Sequence, residues 1–283
     1  MNAIAQQNAG TVTDLHMTGA FDPGHKRSHN EDYFRVDCHN GLAIVADGMG
    51  GHNAGEVASR MAVDAIFDTL TGSLRDPTTS PQGGTREPFS RKGGLVRKAV
   101  RQANDLICRT ARDEPQYQGM GTTIVATLFH GNMVSIGSVG DSRAYRLRQG
   151  CLEQLTRDHT LLQELIDRGY YAPEEAHASL NRNIVTRALG VEDQVDVDII
   201  EDIVLPGDRY LLCSDGLNDM MPDTKIAEIL ARPDLDLATI PRELIEQANA
   251  NGGKDNVTAA IVEVRNAAPA RRTWLQRVVA WFQ

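Results

Sequence analysis

The sequence contains no Cys-x-x-Cys pair: Cys38, Cys108, Cys151 and Cys213 are scattered along 283 residues. Neither a zinc knot nor a disulfide framework is indicated, and a reducing compartment is expected. There is no surplus of positive charge either. With 29 Lys and Arg against 38 Asp and Glu, the formal net charge is -9 and the isoelectric point near 5.4. That balance excludes a nucleic-acid partner, because neutralising phosphates is what drives such binding. No apolar run reaches the roughly 18 residues needed to span a bilayer. The opening stretch MNAIAQQNAGTVTDL has neither a basic start nor an apolar stretch of leader type, so a cytoplasmic location is expected.

What is present is organised around residues 42–52, LAIVADGMGGH. An apolar, β-branched run reads as a buried strand, and it delivers Asp47 into a turn dense in glycine, where backbone must pass close to something. The same placement recurs. Residues 133–139 run into Gly140-Asp141, residues 209–213 into Ser214-Asp215-Gly216, and Asp255 immediately precedes the alternating strand 257–264. Asn40-Gly41 separates the β-type runs 33–38 and 42–46, a hairpin signal because both residues tolerate positive φ. Such a hairpin carries Glu31 and Asp32 to the neighbourhood of Asp47.

The remaining pattern is mixed. Residues 1–13 read as a loose arm. Helical periodicity predicts amphipathic helices over 54–70 and 95–111, separated by a Pro-, Gly-, Ser- and Thr-rich loop at 72–94. Strands are expected at 16–21, 122–129, 143–147, 151–155 and 199–205, and helices at 224–231 and 237–250. The stretch 158–190, with short helical pieces at 161–168 and 173–179, reads as an excursion from the sheets. Mostly antiparallel strands with helices inserted in pairs favour a layered α+β domain over a doubly wound parallel sheet.

Several carboxylates gathered in a small space cannot all stay ionised without a cation. Oxygen ligands without a His/Cys cluster suit Mg²⁺ or Mn²⁺ rather than zinc. A pair of such ions roughly 3.5 to 4 Å apart turns a shared water into a nucleophile for phosphorus, so phosphate-ester hydrolysis is the chemistry indicated. Each aspartate alone could be an ordinary turn residue; the recurrence argues for a site.

In order along the chain, RSHNED (27–32), VADGMGGHNAGE (45–56), GMGTT (119–123), VGDSRAY (139–145), LTRDHT (155–160), TRALG (186–190), CSDGLND (213–219) and KDNVT (254–258) resemble the motifs of the metal-dependent protein serine/threonine phosphatases of type 2C, particularly bacterial members. The resemblance covers about residues 14–265. It implies an αββα sandwich: two mainly antiparallel β-sheets flanked by helix pairs, with metals at one edge and residues 158–190 as the flap. It implies a phosphatase acting on phosphoserine and phosphothreonine in proteins through a metal-bound hydroxide at a binuclear Mn²⁺ or Mg²⁺ centre, opposing a bacterial Ser/Thr kinase, as a monomer.

The resemblance also implies roles. Asp47 bridges two metals and Gly48 contributes its carbonyl oxygen; Glu31 serves the second metal through water; Asp215 and Asp255 bind the first; Asp32 steadies the shell. Residues matching Asp141 and Asp215 hold a third, weaker metal in bacterial relatives. Arg27 matches the arginine that grips substrate phosphate, a task suited to its fixed fork of donors; the alternative is a solvated basic patch with His25, Lys26 and His29. His52 falls where relatives place a histidine near the leaving group, although Asp-Gly-Met-Gly-Gly-His is longer than the relatives' Asp-Gly-His. It is either the general acid or a loop histidine bonded to water. Two other readings stay open, a catalytically idle phosphoprotein- or partner-binding module and a small-molecule phosphatase.

Residues 266–283 depart from the catalytic pattern. Trp274, Leu275, Val278, Val279, Trp281 and Phe282 crowd one side of a helical wheel, near Arg271, Arg272 and Arg277. Such a stripe suits an anionic membrane surface, a partner's groove, or packing on the chain's own body.

Overall fold

A computed structural model describes residues 2–7, 14–51, 54–75, 88–171 and 184–266. His52, the second flap helix expected at 173–179 and the tail from 267 onward lie outside the described residues. In chain order the elements are β1 (Asn2–Gln7), β2 (Asp14–Asp22), β3 (Asp32–Asp37), β4 (Leu42–Met49), α1 (Ala54–Arg75), α2 (Arg91–Asp113), β5 (Gly121–Thr122), β6 (Ile124–His130), β7 (Met133–Val139), β8 (Arg143–Arg148) and β9 (Cys151–Gln154). They continue with α3 (Leu161–Asp167), β10 (Asp198–Ile203), β11 (Arg209–Cys213), α4 (Asp215–Asn218), α5 (Asp223–Ala231), α6 (Ile240–Ala250) and β12 (Val257–Asn266).

Two sheets form, one ordered β1-β2-β12-β11-β8-β9 and the other β10-β7-β6-β4-β3, with β5 added beside β4. Every pairing among the named strands is antiparallel. The period of two along each strand then builds the layers. In β4, Ala43 and Val45, like Phe34 of neighbouring β3, face Met17 and Val262 of the other sheet, while Leu42, Ile44 and Ala46 meet α1 and α2 through Val63, Ile66 and Val100. In β12, Ala260, Val262 and Val264 join the core between the sheets. Val257, Ala259 and Ile261 face Ile226, Leu244 and Ile245 of α5 and α6. Three apolar interfaces separate four layers, giving the αββα sandwich expected.

Four expectations are corrected. Asn2–Gln7, expected as part of a loose arm, pairs with β2 at the sheet edge; backbone hydrogen bonds to an exposed edge need no hydrophobic pattern. The loop expected at 72–94 is shorter, because α1 runs to Arg75 and α2 starts at Arg91. Ser90 caps α2 by accepting from the N–H groups of Lys92 and Gly93, and only 76–87 between the helices lie outside the described residues. The β3–β4 connection is a four-residue turn in which Gly41 alone of Asn40-Gly41 takes positive φ. Asp37 shapes it, its carboxylate accepting from the N–H groups of His39 and Asn40. The strand expected at 122–129 breaks at Thr123, which is diverted to the site.

Candidate metal centre

The antiparallel connections return several strand ends to one edge of the sandwich. Asp32 begins β3 and stands directly across from Asp47 of β4, as the hairpin requires. Asp141 follows β7, Asp215 follows β11 as the first residue of α4, and Asp255 precedes β12. Asp32 is 1 % exposed and Asp141 7 % exposed.

Hydroxyl groups hold this floor in place. Asp32 Oδ2 accepts from Ser214 Oγ and Thr258 Oγ1, each at 2.7 Å, and Ser214 Oγ in turn accepts the Thr258 N–H at 2.9 Å. Thr123 Oγ1 accepts the Asp47 N–H at 3.1 Å and lies 2.7 Å from Ser142 Oγ, tying the Asp47 strand to the Asp141 turn. The Asp47 carbonyl accepts from the Thr123 N–H and from Thr122 Oγ1. Gly48 is required by packing: a Cβ there would lie 2.0 Å from the Gly55 carbonyl oxygen and 2.7 Å from that of Glu31. Glu31 is fixed through its backbone, its carbonyl accepting from the Gly48 N–H and Ser59 Oγ.

Charge is the unbalanced quantity. Burial, then Asp32, Asp215, Asp141 and Asp255, push the Asp47 carboxyl well above the ordinary aspartate range. Burial, then Asp141, Asp219 and Asp255, do the same to Asp215. Asp32, desolvated despite its hydroxyl partners, is raised to about 6, and Asp141, buried beside Asp158, also to about 6. Glu31 is raised by burial as well. Carboxyls raised by burial, with Asp47 and Asp215 raised further by their acidic neighbours, are short of positive charge. Asp32 Oδ1 and Asp215 Oδ1 are buried with no hydrogen-bond partner, and unsatisfied acceptors of this kind are costly unless something else binds them.

These residues fit a hard divalent cation. The donors are all oxygen, two face no protein donor, and the like charges need an opposing one. As the side chains stand, no group of three or more His, Cys, Asp or Glu among the described residues is arranged to hold a metal ion, and Asp255 is engaged elsewhere. Its Oδ2 is 2.8 Å from Arg27 Nη2, and its Oδ1 accepts the Asn256 N–H. Arg27 is half exposed at the rim; its contact with Asp255 raises its already high pKa, and Glu31 and Asp47 add to the shift. Arg27 therefore belongs to the acid cluster and not to a detached basic patch. Cys213 is fully buried, and burial pushes its thiol up to about 12, which makes it inert as a nucleophile.

Several contributors lie within the quoted motifs without being singled out as site residues. Asn256, 4 % exposed, accepts the Glu31 N–H at 2.8 Å and donates to the carbonyls of Pro23 and His29, clamping the segment that bears Arg27 and Glu31. Thr123, Ser142, Ser214 and Thr258 all lie within the quoted motifs, but as buried hydroxyl residues beside the acids they carry no sign of which group each one holds. Arg143 forms a fork on Asp158 beside Asp141.

A family model described as protein phosphatase 2C matches residues 24–259. The serine/threonine phosphatase stp of Listeria monocytogenes is 39 % identical over 252 residues, 88 % of this chain and 96 % of that protein. The serine/threonine protein phosphatase PstP of Mycobacterium tuberculosis is 40 % identical over 243 residues, 86 % of this chain and 44 % of that longer protein. Among solved structures, the M. tuberculosis phosphatase PstP/Ppp is similar with a TM-score of 0.78 at 39 % identity, covering 89 % of this chain and 99 % of that one. A PstP catalytic domain in complex with two manganese ions is similar with a TM-score of 0.75 at 37 % identity, covering 90 % of this chain and all of that one.

Proposed function

The chain belongs to the protein phosphatase 2C family, and from that premise we propose that it is a metal-dependent phosphatase acting on phosphoserine and phosphothreonine in proteins. The observation that carries the reading is the buried group of Asp32, Asp47, Asp141 and Asp215: burial raises all four carboxyls, neighbouring acids raise Asp47 and Asp215 further, and two oxygens are left without donors. Asp47 and the Gly48 carbonyl would serve two divalent ions, Asp215 and Asp255 the first, and Glu31 the second through water. Asp141 with Asp215 would hold a third, weaker one. When bound, Mn²⁺ or Mg²⁺ supplies Lewis acidity and a water acidic enough to be nucleophilic near neutral pH.

The chain's own groups do the rest. Asp32, gripped by two hydroxyls, keeps its second oxygen directed into the cluster. Arg27 stands at the rim beside Asp255 and would transfer its planar donors to the phosphoryl oxygens, offsetting negative charge as the ester bond breaks. Thr123 and Ser142 keep the Asp47 and Asp141 backbones in fixed relation. His52 is proposed to protonate the departing seryl or threonyl oxygen. Cys213 is fully buried and cannot serve as the nucleophile, which supports direct attack by water over a cysteinyl phosphoenzyme.

We place this activity in the cytoplasm, opposing a serine/threonine kinase, with the chain acting as a monomer. The absence of disulfides among the four cysteines supports a reducing compartment, and no described helix is long and apolar enough to cross a membrane. The tail at 266–283 is proposed to contact an anionic membrane surface or a partner. The test is phosphate release from a phosphothreonine peptide with Mn²⁺, with and without chelator. Turnover that chelation abolishes is expected; a protein that binds the phosphopeptide but never releases phosphate would be an idle binding module instead.

A further inference from the structure

His159 lies outside the acid cluster, yet it makes contacts in three directions. It is 5 % exposed. Its ring Nδ1 accepts the Gly140 N–H at 3.0 Å, and its own N–H donates to the Gly140 carbonyl at 2.9 Å, so residue 159 holds both polar groups of the glycine before Asp141. Its carbonyl accepts the Thr186 N–H at 2.8 Å. From there the two arms of the flap are laced together: Thr160 bridges Val185, and the Leu161 N–H donates to the Ile184 carbonyl. On its far side the ring places Nε2 3.2 Å from Asp198 Oδ2 in β10. Arg187 Nη1 shares that carboxylate at 3.1 Å and stands 3.2 Å from the same Nε2.

The Gly140 and Asp198 contacts agree on one tautomer, in which Arg187, a donor only, bonds Asp198 and not the ring. A backbone N–H pointing at Nδ1 makes Nδ1 the unprotonated nitrogen, so the ring proton sits on Nε2 and faces Asp198. The Gly140–Asp141 turn needs such a hold. Gly140 has φ of +102°, and a Cβ there would lie 2.6 Å from the Thr123 side chain, so no side chain of its own can anchor it. Thr123 and Ser142 brace one side of the turn, and His159 is the brace on the other.

Resting on the phosphatase reading above, we propose that His159 is a positioning residue that couples the base of the flap to the direction of Asp141. It passes the geometry of the Thr186 arm and of Asp198 to the Gly140 amide. Movement of the flap base shifts the 159–186 hydrogen bond and, through the ring, the peptide that aims the Asp141 carboxylate. The flap base thereby acts on the acid cluster through a defined atom chain.

The test compares the full chain with His159→Phe, which keeps ring volume and removes both ring nitrogens. It also includes His159→Asn, whose side-chain oxygen replaces the Nδ1 acceptor. Amide exchange at Gly140 and Thr186 is read in metal-depleted protein, alongside Mn²⁺ binding by calorimetry and kcat and KM on a phosphothreonine peptide. His159→Phe is expected to speed exchange at Gly140 about tenfold, the size of one lost buried hydrogen bond, and at Thr186 by a smaller factor through the coupling, while α6 amides stay unchanged. It should also weaken the weakest Mn²⁺ site about tenfold and lower kcat with little change in KM; His159→Asn is expected to restore most of each. Wild-type exchange and kcat in His159→Phe would overturn the proposal, as would a His159→Asn variant as impaired as the phenylalanine one. If His159→Phe does not fold, Asp198→Ala should raise Gly140 exchange about threefold, and an unchanged rate there refutes the coupling. A wild-type protein with no phosphatase activity would refute the enzyme reading, while the amide rates still decide the coupling.

Discussion

Replacing Asn256 by alanine removes three hydrogen bonds at once, from the Glu31 N–H and to the Pro23 and His29 carbonyls. A net worth of about 0.5–1.5 kcal/mol each gives about 3 kcal/mol, reduced to about 2–3 because water reaches the exposed loop near His29. For a chain of this size that corresponds to a melting shift of roughly 4–12 °C. The larger effect falls on activity. The clamped segment carries Arg27 and Glu31, and letting it wander by an ångström costs on the order of ten- to a hundredfold in kcat/KM. Urea unfolding and steady-state turnover of a phosphothreonine peptide measure the two effects. Asn256→Asp keeps the acceptor for Glu31 but loses both donors, and should fall between wild type and alanine in stability. An alanine variant within about 0.5 kcal/mol of wild type, with unchanged turnover, would show that the segment holds itself and that the clamp has been misread.

Further outcomes follow from the same geometry. In chelator at pH 7, Asp47→Asn should stabilise the protein by roughly 1–3 kcal/mol, because it removes one of several crowded, buried charges; urea unfolding reads the sign. Since the folded carboxyl is raised, its cost is absent below the unfolded aspartate range and grows as pH rises through the folded value. The advantage of the variant should therefore vanish toward pH 4, and an advantage independent of pH would refute this origin. Gly48→Ala places a methyl group against two backbone carbonyls and should cost about 3 kcal/mol or more, with loss of Mn²⁺-dependent turnover; a fully active, stable variant would contradict the packing. Ser90→Ala removes the cap of α2 and a contact to Glu201, with an expected loss of about 1 kcal/mol and no change in kcat.

The strands that carry the acids were legible because each has an aspartate at one end, three of them apolar runs that lead into aspartate with glycine beside it, a pattern local to a few residues. The hairpin also brought Asp32 to the neighbourhood of Asp47, although the longer turn shaped by Asp37 is what sets them directly opposite. The supports were not legible. Asn256 acts on His29 from 227 positions away, and Thr123 on Asp47 from 76, so their partners exist only after the sheets have stacked. His159 reads as one residue of a motif until the flap arms close around it. The start of α2 was hidden differently. Gly93 and Gly94 are poor helix formers, and Gly93 is explained by β10, since a Cβ there would lie 3.0 Å from Glu201 and 3.1 Å from Ile199. In β1, backbone pairing with β2 makes a strand where the sequence pattern had offered none.

Titration of the metal-depleted chain with Mn²⁺, followed by calorimetry beside Asp47→Asn and Asp215→Asn, tests most directly whether the gathered carboxylates hold cations. The wild-type chain is predicted to take up at least two ions per molecule, and each variant to lose one or both of the tight sites while its fold persists. Identical isotherms for all three proteins would contradict the account.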